Sequence, residues 1–568
     1  MSCKSCSDVT LLSGTDGNGI QTVVDNGNGT FTFFFTDGST FTTPDFDGTA
    51  GAAGAPGAAA TLAVGTVTTG APGTAPTVTN TGSTAAAVFA FQFPIGIGHD
   101  NTLFVDLVFG ATAGVRERID KPWNTIGAAI TAATSGDTVH IRAGSYTEDI
   151  TLKNGVNIHC EEGVVINGKI TDAAVTVVCN LTGNAILIDS NAANQCIEIT
   201  GANSDVEIHL RRITNTGTGI LQKPASSKNK LLVETDIFSG NTTNYFVTVR
   251  GAADCTVIVN QYAESAATSS TPFQGVDARQ AFSGTLNFKC PKVIIGTSTN
   301  ITGGVALQIE PDTTNTAKIF FEVDTLISNY SNSSASPDFG TLSINGNGKS
   351  IIKIKDLKCI SRVGLQVGGS DVVGGSPVST TGITIFEGMI FSRDNAALRV
   401  LSYENVASLG KVIVRNSSLM RGVNPVASGN LSTVVIFGDA GFGTDSVRAT
   451  CNYMKVELIN TQVIKQGGAS SDNVANPIIA LTGANSELYL KDCDVVHKII
   501  EETVGIATKS IGSFSAAGVL ANSNGSVFYK NTIVTKALTT GTGIPIALGS
   551  TTVTVNANLK TYNYLHTS

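Results

Sequence analysis

The chain has 568 residues and a net charge of −8, with only 14% charged residues and 61 glycines. This length argues against a single compact core, and the acidic balance without a Lys/Arg cluster argues against nucleic-acid binding. No apolar run reaches the ~18 residues of a membrane span, and the polar sequence after Met1 lacks the apolar segment of a secretory signal. We therefore expect no nucleic-acid partner, no membrane contact and no signal peptide.

Residues 1–47 are predicted to form a small β module. Its three strands are separated by turn dipeptides at Asn26-Gly27, Asn28-Gly29 and Asp37-Gly38. The strands carry more phenylalanine than so small a sheet can bury, at Phe31, Phe33, Phe35 and Phe41. We expect a partner protein to cover this face, and we assign the module to attachment.

Residues 48–59 repeat glycine at every third position, at Gly48, Gly51, Gly54 and Gly57. This period is typical of collagen, in which only glycine fits the axis of three wound chains. The tract therefore predicts a homotrimer. A flexible Gly/Ala linker is the alternative that the sequence leaves open.

Residues 60–98 are predicted to form a Thr/Gly-rich neck with strands at 61–68, 76–80 and 87–93. The characteristic segments are 65–70 (GTVTTG), 72–73 (PG), 76–82 (PTVTNTG) and 91–96 (FQFPIG). This module resembles one that recurs in tail fibres and other appendages of tailed bacteriophages. The resemblance implies a virion protein.

Residues 99–568 are predicted to form one repeat array that begins with a helix at 120–134. The helix follows Pro122 and carries apolar residues at helical spacing, namely Trp123, Ile126, Ala129 and Ile130. A Gly136-Asp137 turn and short strands at 138–142, 149–153 and 156–159 come next. A helix in this place would cap the open edge of a column of strands.

The array repeats a polar turn, an alternating strand, an Asn or Asp corner and a second short strand. Units of this kind begin at residues 201, 345, 404, 451, 483 and 522. Each has too little apolar surface to fold alone, so stacking is required. We expect left-handed corners and an asparagine ladder at Asp324, Asp356, Asn416, Asn460, Asp492 and Asn531.

The start of the array resembles right-handed parallel β-helices of the pectate-lyase-like superfamily. The residues that carry the resemblance are 120–126 (DKPWNTI), 135–139 (SGDTV), 143–146 (AGSY) and 154–158 (NGVNI). It implies an all-β chain: a meander, a collagen-like and β neck, and a pectin-lyase-like β-helix with an N-terminal capping helix. Proteins of this resemblance include polysaccharide-cleaving enzymes, among them phage tailspike depolymerases, and non-catalytic fibres.

We assign no catalytic residue, no metal site and no cofactor from the sequence. Asp205 with Glu207, and Asp492 with Asp494, are carboxylate pairs that would share a strand face, but the sequence favours a solvated outer face for Glu207 and a corner for Asp492 over a catalytic role. Lyase chemistry has only local candidates, at Arg211-Arg212 and Lys353–Asp356. The tyrosines that would form a shallow binding stripe are Tyr245, Tyr262, Tyr330, Tyr403 and Tyr529.

Most of the ten cysteines are expected to be reduced core residues. Those that lie in or beside apolar strand patterns are Cys160, Cys179, Cys196, Cys255, Cys290, Cys359, Cys451 and Cys493. Cys3 and Cys6 form an isolated CxxC pair, for which a metal site would need ligands from other copies of the chain.

The sequence thus favours a homotrimeric fibre or spike of a tailed phage, on its head or its tail. Its N-terminus would bind other virion proteins, and its β-helix would adhere to a host-surface glycan or protein. A polysaccharide-cleaving depolymerase, either a hydrolase or a lyase, is the first alternative. A head or tail decoration protein that binds no receptor is the second.

Overall fold

The chain divides into two units, Met1–His140 and Ile141–Ser568, and each is described by itself. The computed structural model describes residues 19–45, 61–70, 75–83, 86–94, 101–189, 195–215, 217–223, 228–240, 245–265, 273–296, 305–311, 316–329, 340–344, 348–359, 363–368, 382–392, 396–400, 410–422, 434–437, 455–466, 479–480, 487–498, 511–512, 526–530, 533–535 and 552–553. The collagen-like glycines Gly48, Gly51, Gly54 and Gly57 lie outside these residues, as do Cys3 and Cys6. The domain boundaries given above remain predictions.

The first unit begins with an antiparallel meander. Its strands are β1 (Ile20–Asp25), β2 (Phe31–Phe35) and β3 (Thr40–Thr42), in the order β1-β2-β3. Gly27, Gly29 and Gly38 have φ values of 67°, 79° and 84° in the connecting turns, which confirms the predicted Asn-Gly and Asp-Gly turns. Phe35 is buried, whereas Val23, Val24 and Phe34 are exposed.

A second small sheet follows, with strands β4 (Thr61–Gly70), β5 (Thr77–Asn80) and β6 (Ala86–Pro94). The order is β4-β6-β5, with β4 parallel and β5 antiparallel to β6. These are the three strands predicted for the neck. Strand β4 is an edge, and its apolar side chains Leu62, Val64 and Val67 are exposed.

The first unit also contains β7 (Thr102–Val105), the helix α1 (Ile126–Ala132) and the start of β8 (Thr138–Ile141). The helix begins later than predicted because residues 122–124 are held in extended pairing. Trp123 N donates to Phe104 O at 2.8 Å, and Asp106 N donates to Trp123 O at 2.9 Å. Thr125 then caps the helix, and its Oγ1 accepts a hydrogen bond from Ala128 N.

The second unit consists of short and long strands in alternation. Its first strands are β9 (Gly144–Tyr146), β10 (Ile150–Thr151), β11 (Asn157–Cys160), β12 (Val164–Asn167), β13 (Ile170–Thr171), β14 (Val178–Gly183), β15 (Ile186–Ile188), β16 (Gln195–Ile199), β17 (Asp205–Asn215), β18 (Thr218–Gln222), β19 (Asn229–Gly240), β20 (Val247–Val249), β21 (Ala253–Ser265), β22 (Phe273–Phe282), β23 (Thr285–Ile295) and β24 (Val305–Pro311). The remaining strands are β25 (Lys318–Ser328), β26 (Leu342–Ile344), β27 (Lys349–Cys359), β28 (Leu365–Val367), β29 (Ile383–Ser392), β30 (Leu398–Val400), β31 (Lys411–Arg421), β32 (Val435–Phe437), β33 (Lys455–Gln466), β34 (Ile479–Ala480), β35 (Glu487–Lys491), β36 (Asp494–Lys498), β37 (Ile511–Gly512), β38 (Ser526–Lys530), β39 (Ile533–Thr535) and β40 (Thr552–Val553).

These strands stack as two parallel sheets. The short-strand sheet contains 13 strands in the order β10-β13-β16-β18-β20-β22-β24-β26-β28-β30-β32-β34-β37. The long-strand sheet pairs β17, β19, β21, β23, β25, β27, β29, β31 and β33 in succession. From β17 to β33 each coil of chain thus contributes one strand to each sheet, and parallel crossovers of this kind are right-handed. The body is a right-handed parallel β-helix in an all-β chain, as the sequence predicted.

Long strands alternate between core and surface. In β17, Val206, Ile208, Leu210 and Ile213 are buried and their neighbours are partly or fully exposed. Equivalent residues lie 25 apart between β17 and β19 but 44 apart between β31 and β33. The column therefore keeps one register while the coil length varies.

Three of the predicted corners have the left-handed backbone conformation. Asn416, Asn460 and Asp492 have φ values of 50°, 47° and 54°, and Asn460 Nδ2 donates to Asn416 Oδ1 at 2.9 Å. The predicted left-handed corner is confirmed for these three residues, and the predicted ladder for Asn416 and Asn460. Asp324 and Asp356 lack a positive φ, and Asn531 lies outside the described residues.

The described cysteines form no disulfide and are buried, as predicted: Cys160, Cys179, Cys196, Cys255, Cys290, Cys359 and Cys493. Burial raises the pKa of Cys160 and of Cys255 to about 12. Thiols of this kind pack as small apolar side chains and have no nucleophilic thiolate at neutral pH.

Candidate functional site

The outward face of the long-strand sheet carries a ladder of alternating charge. Register pairing places Lys289, Glu322, Lys353, Glu387 and Arg415 one above the other on five successive coils. Lys289 Nζ lies 3.8 Å from Glu322 Oε1, Lys353 Nζ lies 3.8 Å from Glu387 Oε2, and Arg415 also pairs with Glu387. Opposite charges directly across neighbouring strands stabilise one pairing over a shifted one. We call these five residues the charge ladder.

Other outward carboxylates are also paired with lysines on the same or the next coil. Asp205 lies 3.1 Å from Lys230, and Asp324 lies 2.6 Å from Lys355. Two further pairs have distances of 2.8 Å and are Lys358–Asp356 and Lys411–Glu457. The basic segment Lys353–Asp356, considered above for lyase chemistry, thus contributes ion pairs between and within coils.

One group of titratable side chains on this face surrounds His209. Its Nε2 lies 2.6 Å from Glu207 Oε1, and its Nδ1 lies 3.1 Å from Glu234 Oε2 on the next coil. Asn260, one coil further, donates from Nδ2 to Glu234 Oε1 and Asp236 Oδ1, both at 3.2 Å. We call these five residues the His209 cluster.

Of the His209 cluster, only Glu207 was predicted from the sequence to belong to a carboxylate pair. That prediction considered neighbours within one strand and not residues on the next coil. Asp205 and Glu207 lie on the same strand as expected, but Asp205 bonds to Lys230 and Glu207 bonds to His209. Glu234 and Asn260 join the cluster through coil spacing. The sequence signal that could have revealed this cluster is a polar side chain placed 25 or 26 residues, the length of one coil, after a carboxylate.

The other predicted candidates do not converge on one place. Asp492 occupies the bend, and Asp494 lies beside Gln462 in register. Arg212 donates to Ser239 Oγ at 3.3 Å. His159 contacts Thr182 Oγ1 at 3.2 Å, and in the first unit the His140 and Phe104 rings form a tilted pair with centroids 5.6 Å apart.

Aromatic side chains form no continuous stripe among the described residues. Trp123 is buried, and Tyr262 is half-buried on the long-strand sheet. Tyr330 and Tyr403 lie outside the described residues, and no side-chain environment is described for Tyr529. Tyr489, which the tyrosine prediction omitted, donates to Glu487 at 2.8 Å beneath Lys455, and burial followed by that bond raises its pKa to about 12.

A row of polar residues runs through the middle of the short-strand sheet. Register pairing aligns its members on six successive coils. All are buried: Thr248, Asp277, Gln308, Ser343, Gln366 and Arg399. Asp277 forms a buried ion pair with Arg250, whose Nη1 also donates to Asp277 O at 3.1 Å.

Sequence reasoning missed this polar row, although each member is the centre of an apolar–polar–apolar triplet such as Leu365-Gln366-Val367. Both faces of these short strands are buried, so the row belongs to the protein interior. It gives a ligand no open access.

Within the described residues, no group of three or more His, Cys, Asp or Glu is placed to hold a metal ion. In the same part of the chain, no helix has both the length and the apolar character needed to cross a membrane.

Comparisons with known proteins identify no family for this chain. No protein-family model matches the chain, and no curated protein sequence matches it. A solved structure of a family 28 exopolygalacturonase from Yersinia enterocolitica is similar over 87% of this chain and 84% of that chain. The identity is 11% and the TM-score is 0.24, so this likeness supports no statement about activity.

Proposed function

We propose that this chain forms a homotrimeric fibre or spike of a tailed-phage particle. Its N-terminal module would bind other virion proteins, and its β-helix would adhere to a glycan or protein of the host surface. The observation that carries this proposal is the exposed apolar edge of the neck. The sequence resemblance of residues 65–96 to phage appendage modules supports the same assignment.

Strand β4 exposes three large apolar side chains on a free sheet edge. Leu62, Val64 and Val67 have exposed fractions of 64%, 72% and 61%. Such an edge invites pairing or packing with another chain. Gly57 ends the collagen-like tract just before β4 begins at Thr61. If residues 48–59 wind three chains together, the other two chains would therefore enter their neck strands next to this edge.

The body supports a role as a rigid carrier of binding loops. The charge ladder and the corner asparagines hold successive coils in one register, while coil length ranges at least from 25 to 44 residues. A column of this kind tolerates loop variation without losing its core. These are the properties that a host-facing adhesin needs.

Two measurements test the proposal on the full chain. Light scattering should give three times the chain mass of 58.5 kDa. Labelled protein should bind host bacteria, and periodate oxidation of the cell surface should reduce binding if the receptor is a glycan. A monomer would refute the trimer. Absence of cell binding by a trimer, together with weaker particles when the protein is lost, would favour the decoration protein.

The His209 cluster favours a second candidate, a polysaccharide hydrolase. Glu207 and Glu234 face each other across one imidazole ring on an outward face, and glycoside hydrolysis requires two carboxylates about 5–9.5 Å apart. Release of reducing ends from host-surface polysaccharide, lost in Glu207→Gln and in Glu234→Gln but kept in Asp205→Asn, would establish this activity. Binding without release would support the adhesin.

A further inference from the structure

Residues 106–123 of the first unit form an ordered loop that carries exposed apolar side chains. Its two legs are joined by backbone hydrogen bonds of 2.8–2.9 Å, from Asp106 N to Trp123 O, from Ala111 N to Pro122 O and from Val115 N to Lys121 O. The exposed apolar side chains on it are Leu107, Val108, Phe109, Val115 and Ile119. We call these five residues the apolar knob. Val108 and Phe109 are each 78% exposed.

Local bonding fixes the tip of the apolar knob. Asp106 Oδ1 accepts hydrogen bonds from Val108 N at 2.9 Å and Phe109 N at 3.0 Å. Gly110 and Gly114 lie so close to Trp123 that an added Cβ would approach it to 2.4 Å and 2.5 Å. The exposure of Val108 and Phe109 is therefore built into the turn. An ordered apolar patch of this kind marks a contact surface.

We propose that the apolar knob is a contact between sister copies of this chain within the trimer, and this inference rests on the trimer proposed above. Only 12 residues separate Pro94, the end of the neck sheet, from Leu107. Even a fully extended linker of that length spans at most about 45 Å. In a trimer joined at the neck, the three knobs would therefore be confined to a small volume, which gives them a high effective concentration for one another.

Charge also favours a sister copy as the partner. The chain as a whole has a net charge of −8, so most of its surfaces repel one another. Residues 107–121 instead hold three basic and two acidic side chains, a net charge of +1. Part of that charge is neutralised locally, since Arg118 binds Asp120 at 2.5 Å and Arg116 lies 3.7 Å from Glu117. Arg116 also forms an ion pair with Asp137, just outside this range, and including that carboxylate brings the net charge of the group to zero. Acidic copies can approach through this patch without repulsion.

Thiol protection on the full chain tests the contact directly. Phe109→Cys and the control Val178→Cys each place one thiol at an exposed apolar position. Maleimide labelling is followed by mass spectrometry of the peptide, and oligomeric mass is measured on the same samples. In a trimer, we expect labelling at position 109 to be at least about tenfold slower than at position 178.

The outcomes separate the two proposals. A wild-type monomer refutes the trimer itself. A trimer that labels equally fast at both positions overturns the knob contact and leaves the trimer standing. If Phe109→Cys loses the trimer while Val178→Cys keeps it, the contact is supported. The double variant Val108→Ser/Phe109→Ser should also dissociate at a lower denaturant concentration than Val175→Ser/Val178→Ser, and equal midpoints would count against the contact.

Discussion

Reversing the charge of Glu387 tests whether the outward carboxylates hold successive coils together. Glu387 lies 3.8 Å from Lys353 and also pairs with Arg415, so Glu387→Lys places three cations in a row on neighbouring strands. Each partly exposed ion pair contributes ~0.2–1 kcal/mol, and a like-charge pair costs a similar amount. Two attractions become two repulsions, which predicts a local destabilisation of about 2 kcal/mol.

Hydrogen exchange measured by mass spectrometry suits this test because it reports local opening without requiring reversible unfolding. A loss of about 2 kcal/mol corresponds to roughly 30-fold faster exchange in β27, β29 and β31 at low salt. The effect should shrink in 1 M salt, where the Debye length falls to about 3 Å. Adding Arg415→Glu should recover about half of the lost protection, because it restores one of the two attractions at position 387 and leaves Lys353, which also lies in register with Glu322, unchanged.

Glu162→Lys is the matched control, because Glu162 is an exposed glutamate in the turn after β11 and its substitution makes the same change in net charge. Unchanged exchange in Glu387→Lys, or equal acceleration in both variants, would show that the charge ladder does not stabilise the coils. An acceleration that persists undiminished in 1 M salt would also contradict an electrostatic cause.

Three further predictions concern the interior of the β-helix. Gly388→Ala should lower the melting temperature sharply in a calorimetric scan. Gly388 has φ of 133°, and an added Cβ would lie 1.6 Å from Ile354 O. An unchanged melting temperature would refute this close approach. Asp277→Ala should destabilise the protein to denaturant by about 3–5 kcal/mol, since it leaves Arg250 charged and buried, whereas a loss below 1 kcal/mol would mean that the pair is solvated. Cys255 should resist Ellman's reagent at pH 8 until the chain unfolds, and rapid labelling of the native protein would contradict its burial. Its folded pKa of about 12 lies above the unfolded value near 9. The contribution of the neutral buried thiol to stability is therefore present below pH 9 and is lost as the pH rises to 12.

Local features of the fold were predictable from the sequence because they depend on neighbouring residues. The turn at Asp37-Gly38 and the left-handed corners at Asn460 and Asp492 follow from backbone preferences of single residues. The helix start was placed too early because Trp123 shows helical spacing. Its backbone instead bonds to Phe104 and Asp106, and neither bond is visible in the spacing of residues 122–126.

Contacts between coils were hard to predict because the coil length is irregular. Lys353 and Glu387 lie in register 34 positions apart, whereas other coils differ from this by several residues. The pairing of His209 with Glu234 was missed for the same reason. Asp324 was predicted to occupy a corner because of its position in the repeat unit. In the structure its carboxylate forms an ion pair with Lys355 on the next coil.

Electron cryo-microscopy of the purified full chain tests the central claim most directly. Three parallel β-helices, each with coils about 4.8 Å apart and all joined at an N-terminal neck, are the predicted result. Particles with a single β-helix, or three chains in contact only through their β-helix bodies with separate necks, would contradict the proposed trimeric appendage.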